Sequence, residues 1–291
     1  MSQIKLAIII VSYKNIEIAI DCINSVYRYN DIGSQLEVIL VDNSPDHNVY
    51  NAVMDKFSSV IGIKNKNTGF GSGNNLGATK ATGSYLLFLN PDTILVEPVF
   101  EFAIKKFEQH PKLSMFGLKL ISEKMTRNMS FYLINGGGVI SSMITKLCNA
   151  LDIYVDGMMY VSGANMFVRH EDFIQCGQFD EKIFMYYEEA DLTRRLRMQG
   201  KSTAYFKDKR IIHLEGGTSS DGELALRRRL DSAIYYNLKH SKNPKTIFAR
   251  ELRLNYIKLV IYKLTGMGEI NQINLNINIL LEYLRRPDVN F

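Results

Sequence analysis

Three apolar runs of strand length, each followed by polar residues, constrain the fold of this chain most. They are Leu6–Ser12, Leu36–Val41 and Tyr85–Leu89. Because none of them alternates polar and apolar residues, each is predicted to be a strand buried on both faces. Between or after these runs, four segments have apolar residues at helical spacing: Ile16–Tyr29, Val49–Phe57, Asn74–Thr82 and Val99–His110. Val60–Ile63 is predicted to be one further, short strand. This alternation predicts an α/β fold with a mostly parallel sheet flanked by helices.

The polar residues after these strands are predicted to meet at one place. They are Ser12-Tyr13, Asp42-Asn43 and Asn90-Pro91-Asp92. Open sheets of this class bind ligands beyond the carboxyl ends of their strands. The sequence therefore predicts one crevice lined by all three sets.

Two residues are candidate metal ligands. Pro91 ends its strand, so the turn presents Asp92 at the strand tip. A hard cation such as Mg²⁺ or Mn²⁺ takes one or two carboxylates together with substrate phosphate oxygens. His213 ends a further predicted strand, Ala204–Leu214, and neutral imidazole is a common metal ligand. The alternatives are a turn-forming aspartate and an ordinary core or surface histidine.

An acidic segment opens the predicted helix Glu188–Met198. Glu188, Glu189 and Asp191 repel one another unless a cation or a proton offsets the charge. Asp191 can reach Arg194 or Arg195 at helical spacing, which indicates a structural role. Either glutamate could serve as a general base toward an acceptor hydroxyl. The alternative is a solvated acidic turn at a helix start, where the helix dipole favours negative charge.

A loop rich in glycine and asparagine, Asn65–Asn74, is a candidate phosphate or nucleotide contact. Glycines let the backbone approach a ligand, and the amides of the next helix can meet an anion. The loop has neither the spacing nor the lysine of a P-loop. The first strand leads into Val11-Ser12-Tyr13-Lys14-Asn15, which contains no glycine and so argues against an NAD enzyme.

The middle of the chain has weaker signals. Residues 122–160, which contain Gly136-Gly137-Gly138, are predicted to form a loop or small insertion beside the site, or else a plain connector. Tyr160–Arg169 is predicted to return to a strand.

Taken in order, the motifs resemble those of family 2 glycosyltransferases, nearest to the bacterial rhamnosyltransferase-like branch. The resemblance spans residues 5–220. It is carried by Val11-Ser12-Tyr13, Val41-Asp42-Asn43-Ser44, Asn67-Thr68-Gly69 with Asn74, Leu89-Asn90-Pro91-Asp92, Gly177-x-Phe179-Asp180, Glu188-Glu189-x-Asp191-Leu192 with Arg195, and His213.

The resemblance implies a GT-A fold and an inverting mechanism. It implies that Asp92 fills the last position of the family's metal-binding Asp-x-Asp motif, that His213 is the second metal ligand, and that Glu189 replaces the usual catalytic aspartate. The sequence departs from the family pattern at two positions. Asn90 stands where many members have Asp, and the residue in the place of the catalytic base is Glu rather than Asp. Because a glutamate reaches further than an aspartate, Glu188 stays open as an alternative to Glu189. The residues implied for nucleotide binding are Val11, Ser12, Tyr13, Asp42, Asn67, Gly69, Asn74 and Asn90.

The implied reaction moves a sugar, rhamnose among the candidates, from a dTDP- or UDP-sugar with Mg²⁺ or Mn²⁺. The implied acceptor is a hydroxyl of a saccharide or lipid-linked saccharide in bacterial surface polysaccharide synthesis. The rival interpretations are a non-catalytic sugar-nucleotide-binding or membrane-scaffolding protein on the same fold and a nucleotidyltransferase.

The positive charge is concentrated at the C-terminus. Residues 221–291 hold 12 Lys and Arg against 7 Asp and Glu, whereas residues 1–220 hold 23 of each. This predicts a catalytic domain over 1–220 and a basic amphipathic helical extension over 221–291, with helices at Leu224–Leu238, Ile247–Leu264 and Ile270–Leu284. Its arginine run, Arg227-Arg228-Arg229, suits an anionic membrane surface. The alternatives are a lid over the site or a homodimer interface.

Other features bear on location and partners. The three cysteines are far apart, which favours a reducing compartment, and no apolar stretch is long enough to span a bilayer. The expected location is the cytoplasm. The basic extension suggests, as an alternative, that the protein contacts the inner face of the plasma membrane peripherally. No nucleic-acid reader motif is present, so nucleic acid is not an expected partner.

Overall fold

The computed structural model describes residues 3–134, 136, 138–214, 222–266 and 268–287 of the chain. The strands are β1 Leu6–Ser12, β2 Leu36–Asp42, β3 Val60–Lys64, β4 Tyr85–Leu89, β5 Thr93–Leu95, β6 Leu113–Ile121, β7 Phe131–Leu133, β8 Met159–Val161, β9 Asn165–Arg169 and β10 Ser202–His213. The α-helices are α1 Ile16–Arg28, α2 Asn48–Lys56, α3 Phe70–Ala78, α4 Phe100–Gln109, α5 Gly138–Leu151, α6 His170–Gln175, α7 Glu188–Met198, α8 Gly222–Lys239, α9 Pro244–Thr265 and α10 Ile270–Leu284.

One sheet of eight strands organises the fold. Its order is β3-β2-β1-β4-β9-β6-β10-β5, and β9 and β5 run against the other six. All seven residues of β1 are buried, because helices cover both faces of the sheet. The predicted α/β fold with a mostly parallel sheet is confirmed.

Helix α3 begins at Phe70, so the loop predicted to extend to residue 74 is shorter than expected. Its glycines pack against the sheet: a Cβ at Gly73 would lie 2.9 Å from Val11 Cγ1, and one at Gly77 would lie 2.5 Å from Ile9 Cγ2. Gly69, at the helix N-cap, has φ +117° and lies against the carbonyl of Phe184. Gly73 and Gly77 therefore allow α3 to pack closely against β1, and Gly69 allows the chain to pass close to Phe184.

Several elements were not expected from the sequence, and β6 and α5 are the longest of them. Strand β6 lies inside the sheet between β9 and β10, and helix α5 occupies part of the segment interpreted as a loop. The glycine run just before α5 favoured the interpretation of this segment as a loop, although many of the apolar residues of α5 follow helical spacing and face outward. Gly137, in the middle of the glycine run that precedes α5, lies outside the described residues.

The three C-terminal helices are present as predicted, and they share a small core of their own. The core consists of Leu230, Ala233, Ile234, Phe248, Ile279, Leu280 and Tyr283. None of the helices in the described part of the chain is both long and apolar enough to cross a bilayer. The boundary between 220 and 221 lies outside the described residues, so the division into two domains stays a prediction.

The buried Asp191 carboxylate fastens α8 to α7. It accepts from Arg195 Nε at 2.7 Å on α7, and from Lys239 Nζ at 2.7 Å and His240 Nε2 at 2.9 Å at the end of α8. Its side chain has no exposed surface. The structural role expected of Asp191 and Arg195 agrees with this arrangement of contacts.

We expect Asp191→Ala to lower the free energy of unfolding by about 3–5 kcal/mol, because the change leaves Arg195 and His240, which are 17% and 10% exposed, without the carboxylate that accepts from them. Urea denaturation followed by circular dichroism measures the change. Asp231→Ala is the matched control: Asp231 pairs with Arg286 but is 55% exposed, so its loss should cost less than about 1 kcal/mol. Equal losses in the two variants would contradict the assignment.

Candidate active site

A cleft of about 1450 Å³ opens at the carboxyl ends of β1 and β4. The start of α7 forms part of its wall, and α5, α8 and α9 contribute residues around it. Eight of the residues singled out in the sequence line this cleft: Val11, Ser12, Tyr13, Asn67, Asn90, Asp92, Glu188 and Glu189. The convergence expected from strand order is therefore present.

Asp92 and His213 meet beside this cleft although they are distant in sequence. Strand β5 pairs antiparallel with the end of β10, so Thr93 lies opposite His213, and the amide of Leu214 donates to the carbonyl of Asp92 at 2.9 Å. His213 Nε2 lies 3.4 Å from Asp92 Oδ1, and each side chain is 17% exposed. The pairing of β5 with β10 thus holds the side chains of Asp92 and His213 next to each other.

This pair fits a divalent cation that completes its coordination with ligand oxygens. Asn90 Oδ1 is buried and has no hydrogen-bond partner among the described residues. Carboxylate, imidazole and amide oxygen are all suitable donors for Mg²⁺ or Mn²⁺. The described residues contain no cluster of three or more His, Cys, Asp or Glu side chains able to hold a metal. The site would therefore rely on substrate phosphate for the remaining ligands, as such ions commonly do.

Glu189 stands over the backbone of Gly163, just before β9. A Cβ at residue 163 would collide with the Glu189 carboxylate, so glycine makes the close approach possible. Burial raises the pKa of the Glu189 carboxyl to about 7, and hydrogen bonds from the amides of Glu189 and Gly163 partly oppose that rise. A carboxyl with a pKa near neutrality is suited to proton transfer.

Glu188 differs from its neighbour. Its side chain is almost fully buried, and Oε2 has no hydrogen-bond partner in the described part of the chain. Burial, followed by repulsion from Glu189, raises the pKa of Glu188 well above its usual range. Burial and repulsion thus favour the neutral form of Glu188, whose own amide opposes the rise, whereas the amides of both Glu189 and Gly163 stabilise the ionised form of Glu189.

The turn before α7 is strained, and the C-terminal helices support it. Tyr186 and Tyr187 both have positive φ, at 69° and 73°. Such conformations are costly for bulky residues and persist where surrounding contacts enforce them. The Tyr187 ring packs 5.1 Å from Tyr236 on α8, and its hydroxyl contacts Arg229. Helix α8 therefore helps to place the two glutamates.

Buried polar atoms without partners cluster in the cleft. Within the described part of the chain, Ser12 Oγ, Asn90 Oδ1 and Glu188 Oε2 all lack hydrogen bonds, and all three residues line the cavity. Unsatisfied buried groups are uncommon because each costs about 1–3 kcal/mol. A polar ligand in the cleft would satisfy them.

Three residues expected to bind nucleotide do not line the cleft. Asp42 is fully buried, and its two carboxylate oxygens accept from the amides of Ser44 and Tyr50, each at 2.8 Å. The Asn74 amide donates to the carbonyl of Phe70 within α3. Gly69 packs against Phe184, as described above. In this structure all three organise the backbone around the cleft, and Asn43, next to Asp42, is the residue that lines it.

Sequence reasoning missed the basic side chains in the cleft wall. They are Lys14, Lys146, Arg228, Arg229 and Lys258. Arg228 stacks 4.6 Å over the Phe184 ring, and Arg229 forms a bidentate pair with Glu251. The excess positive charge of the C-terminal quarter was the available signal, but nothing in the sequence showed that it faces the crevice.

Comparisons with known proteins agree with this geometry. The model of the family described as Glycosyl transferase family 2 matches residues 7–177. The rhamnosyltransferase WbbL of Escherichia coli K12 is 26% identical over 191 residues, which cover 60% of this chain and 72% of that protein. The O-antigen biosynthesis protein RfbC of Myxococcus xanthus is 26% identical over 152 residues, or 50% of this chain but only 12% of that longer protein.

A solved structure has the same fold. The mannosyltransferase PcManGT from Pyrobaculum calidifontis, in complex with GDP-Man and Mn²⁺, superposes with a TM-score of 0.61 at 14% identity. The match covers 98% of this chain and 81% of that one. At this identity the likeness shows the fold, which is GT-A.

Proposed function

The chain belongs to glycosyltransferase family 2 and is a rhamnosyltransferase-like glycosyltransferase, and on that premise we propose an inverting reaction at the cleft. The donor is a dTDP- or UDP-sugar, with rhamnose the leading sugar. The acceptor is a hydroxyl of a saccharide or lipid-linked saccharide of a bacterial surface polysaccharide. The observation that carries this proposal is the approach of Asp92 to His213 beside the cleft that Glu189 lines. The family assignment argues against the nucleotidyltransferase and the non-catalytic binding protein.

Each side chain has a part in the proposed reaction. Asp92 and His213 would hold a Mg²⁺ or Mn²⁺ ion, and Asn90 would be a further oxygen donor. When bound, the ion would stabilise the charge that develops on the departing diphosphate. Val11, Ser12, Tyr13 and Asn67 line the part of the cleft proposed for the nucleotide.

Glu189 is the proposed base. Its carboxylate takes the proton from the acceptor hydroxyl while that oxygen attacks the anomeric carbon on the face opposite the diphosphate. The bond between the anomeric carbon and the diphosphate oxygen breaks, and the nucleoside diphosphate leaves. Glu188 is the less suitable base because burial holds it in the neutral form. The strained turn at Tyr186 and Tyr187 supports both glutamates in place.

We expect the donor kcat/KM to fall as the pH drops through about 7. The base acts as a carboxylate, and the pKa of Glu189 is raised to about 7, so its ionised fraction decreases below that pH. Well below the pKa, the rate should decrease about tenfold per pH unit, with a plateau above about pH 8. Initial rates in buffers of constant ionic strength measure the profile. A flat profile between about pH 5.5 and 8 would contradict the role of this carboxyl.

A thermal-shift panel tests the donor class. UDP-, dTDP- and GDP-sugars are each added with Mn²⁺ or with a chelator. A ligand at about 100 times its Kd stabilises the fold by about 2.7 kcal/mol, so a matching donor should raise the Tm by several degrees. We expect a dTDP- or UDP-sugar to do so in the presence of Mn²⁺. Equal melting curves with every donor would overturn the nucleotide-sugar proposal.

A further inference from the structure

Helices α5 and α9 carry an apolar surface that nothing in the described chain covers. On α5 the exposed apolar residues are Ile140, Met143, Ile144, Leu147 and Leu151, and on α9 they are Tyr256, Ile257, Val260, Ile261 and Leu264. Each set follows helical spacing, so each forms one face. The two helices pack directly against each other, although they come from distant parts of the sequence. We call these ten residues the α5–α9 face.

The α5–α9 face lies on the outside of the cleft wall. Ser141, Thr145 and Lys146 of α5 line the cleft, as do Leu254 and Lys258 of α9. At 100° per residue, the three α5 positions and Lys258 lie roughly 100–145° around their helices from the centres of the exposed apolar faces, whereas Leu254 lies at the edge of the α9 face. Exposure is large, reaching 75% at Ile140 and 81% at Leu264. Contiguous apolar surface of this kind marks a contact with another partner or with lipid.

The charges around the α5–α9 face indicate which kind of partner it contacts. Helix α5 contains no acidic residue, and the one acid of α9, Glu251, pairs with Arg229. Arg250, Arg253 and Lys263 are exposed on α9, and none forms an ion pair with a carboxylate of the described residues. An apolar face bordered by cations and free of exposed acids complements an anionic bilayer, where apolar side chains enter the acyl boundary and cations meet phosphate.

The arginine run that first suggested membrane contact has other partners. Arg227 pairs with Glu223 and Glu282, and Arg229 pairs with Glu251. These pairs join α8 to α10 and α9, so they brace the helical bundle. The charge of the C-terminal quarter therefore bears on lipid binding chiefly through the exposed cations of α9.

We propose that the α5–α9 face docks the enzyme on an anionic lipid surface and thereby holds the cleft beside the membrane. This deepens the proposed function, on which it rests, because a lipid-linked acceptor would then be presented at the cleft. The docking itself requires no catalysis and can be measured separately.

Vesicle flotation tests the proposal. The full chain is mixed with vesicles of phosphatidylcholine alone or with about one third phosphatidylglycerol, and the bound fraction is measured. We expect binding to the anionic vesicles, weaker binding at high salt, and an at least tenfold lower partition coefficient for Ile144→Glu/Ile261→Glu. The matched control, Ile174→Glu/Met198→Glu, changes exposed apolar residues on α6 and α7 and should bind as the unsubstituted chain does.

Three outcomes would overturn the docking surface: no flotation of the unsubstituted chain, equal binding by both double variants, or a dimer that Ile144→Glu/Ile261→Glu converts to monomer in light scattering. Thermal melting of each variant shows that it is folded.

Donor turnover with a water-soluble acceptor should be unchanged in Ile144→Glu/Ile261→Glu. Failure of flotation with that turnover intact would refute the docking alone, whereas absence of turnover in the unsubstituted chain would refute the proposed function.

Discussion

Replacement of Glu189 by Gln should lower kcat by about 10²–10⁴-fold, the range that general-base catalysis contributes. The amide keeps the size of the side chain and its position over Gly163, but it cannot accept the proton of the acceptor hydroxyl. Donor binding should be nearly unchanged, because the cation-binding residues are untouched. Single-turnover rates and calorimetric donor affinity separate these two quantities.

Glu188→Gln is the matched control for that change. Because burial raises the pKa of Glu188 well above its usual range and so favours its neutral form, an amide should substitute with a much smaller loss of kcat. Both variants should melt close to the unsubstituted chain. Near-normal turnover in Glu189→Gln with donor still bound would remove Glu189 from the role of base. A large loss in Glu188→Gln alone would transfer the role to its neighbour.

Replacement of Asp92 by Ala should abolish metal-dependent donor binding and lower the donor kcat/KM by at least about 10²-fold. A metal supplies several kcal/mol of charge stabilisation, and each 1.36 kcal/mol corresponds to tenfold in rate. Asp92 is the only carboxylate of the proposed ligand set, so its removal leaves an imidazole and an amide. Rates measured across a Mn²⁺ titration test this.

Asp92→Asn serves as the graded control because it retains one oxygen donor without the charge. We expect it to need a higher Mn²⁺ concentration for half-maximal rate, and His213→Ala to behave similarly. If Asp92→Ala retained the Mn²⁺ dependence of the unsubstituted chain, the cation would have to bind elsewhere.

The sheet and the meeting of its strand tips could be predicted from the sequence because the signals are local. Apolar runs such as Leu6–Ser12 define buried strands, and Pro91 and Asn43 mark where strands stop. Parallel order then places the following residues at one edge. The helix Glu188–Met198 and the last helix, Ile270–Leu284, matched their expected bounds for the same reason: both have clear helical spacing.

Features that depend on contacts between distant segments were not predictable. Pairing of β5 with β10 brings His213 close to Asp92, but β5 has only three residues, and no local sequence pattern predicts so short a strand. The close packing of Gly73 and Gly77 against β1 was also not predictable, because glycine spacing alone does not distinguish helix–strand packing from backbone approach to phosphate. Helix α5 was not predicted because the glycine run before it favours a loop, and the outward direction of its apolar face cannot be inferred from the sequence.

The most direct test of the account is an anomalous-scattering measurement on crystals grown with Mn²⁺ and a nucleoside diphosphate. We expect a manganese peak within about 2.5 Å of an Asp92 carboxylate oxygen and of a His213 ring nitrogen, with diphosphate oxygens completing its coordination in the cleft that Glu189 lines. Manganese and diphosphate bound away from Asp92 and His213 would contradict the account.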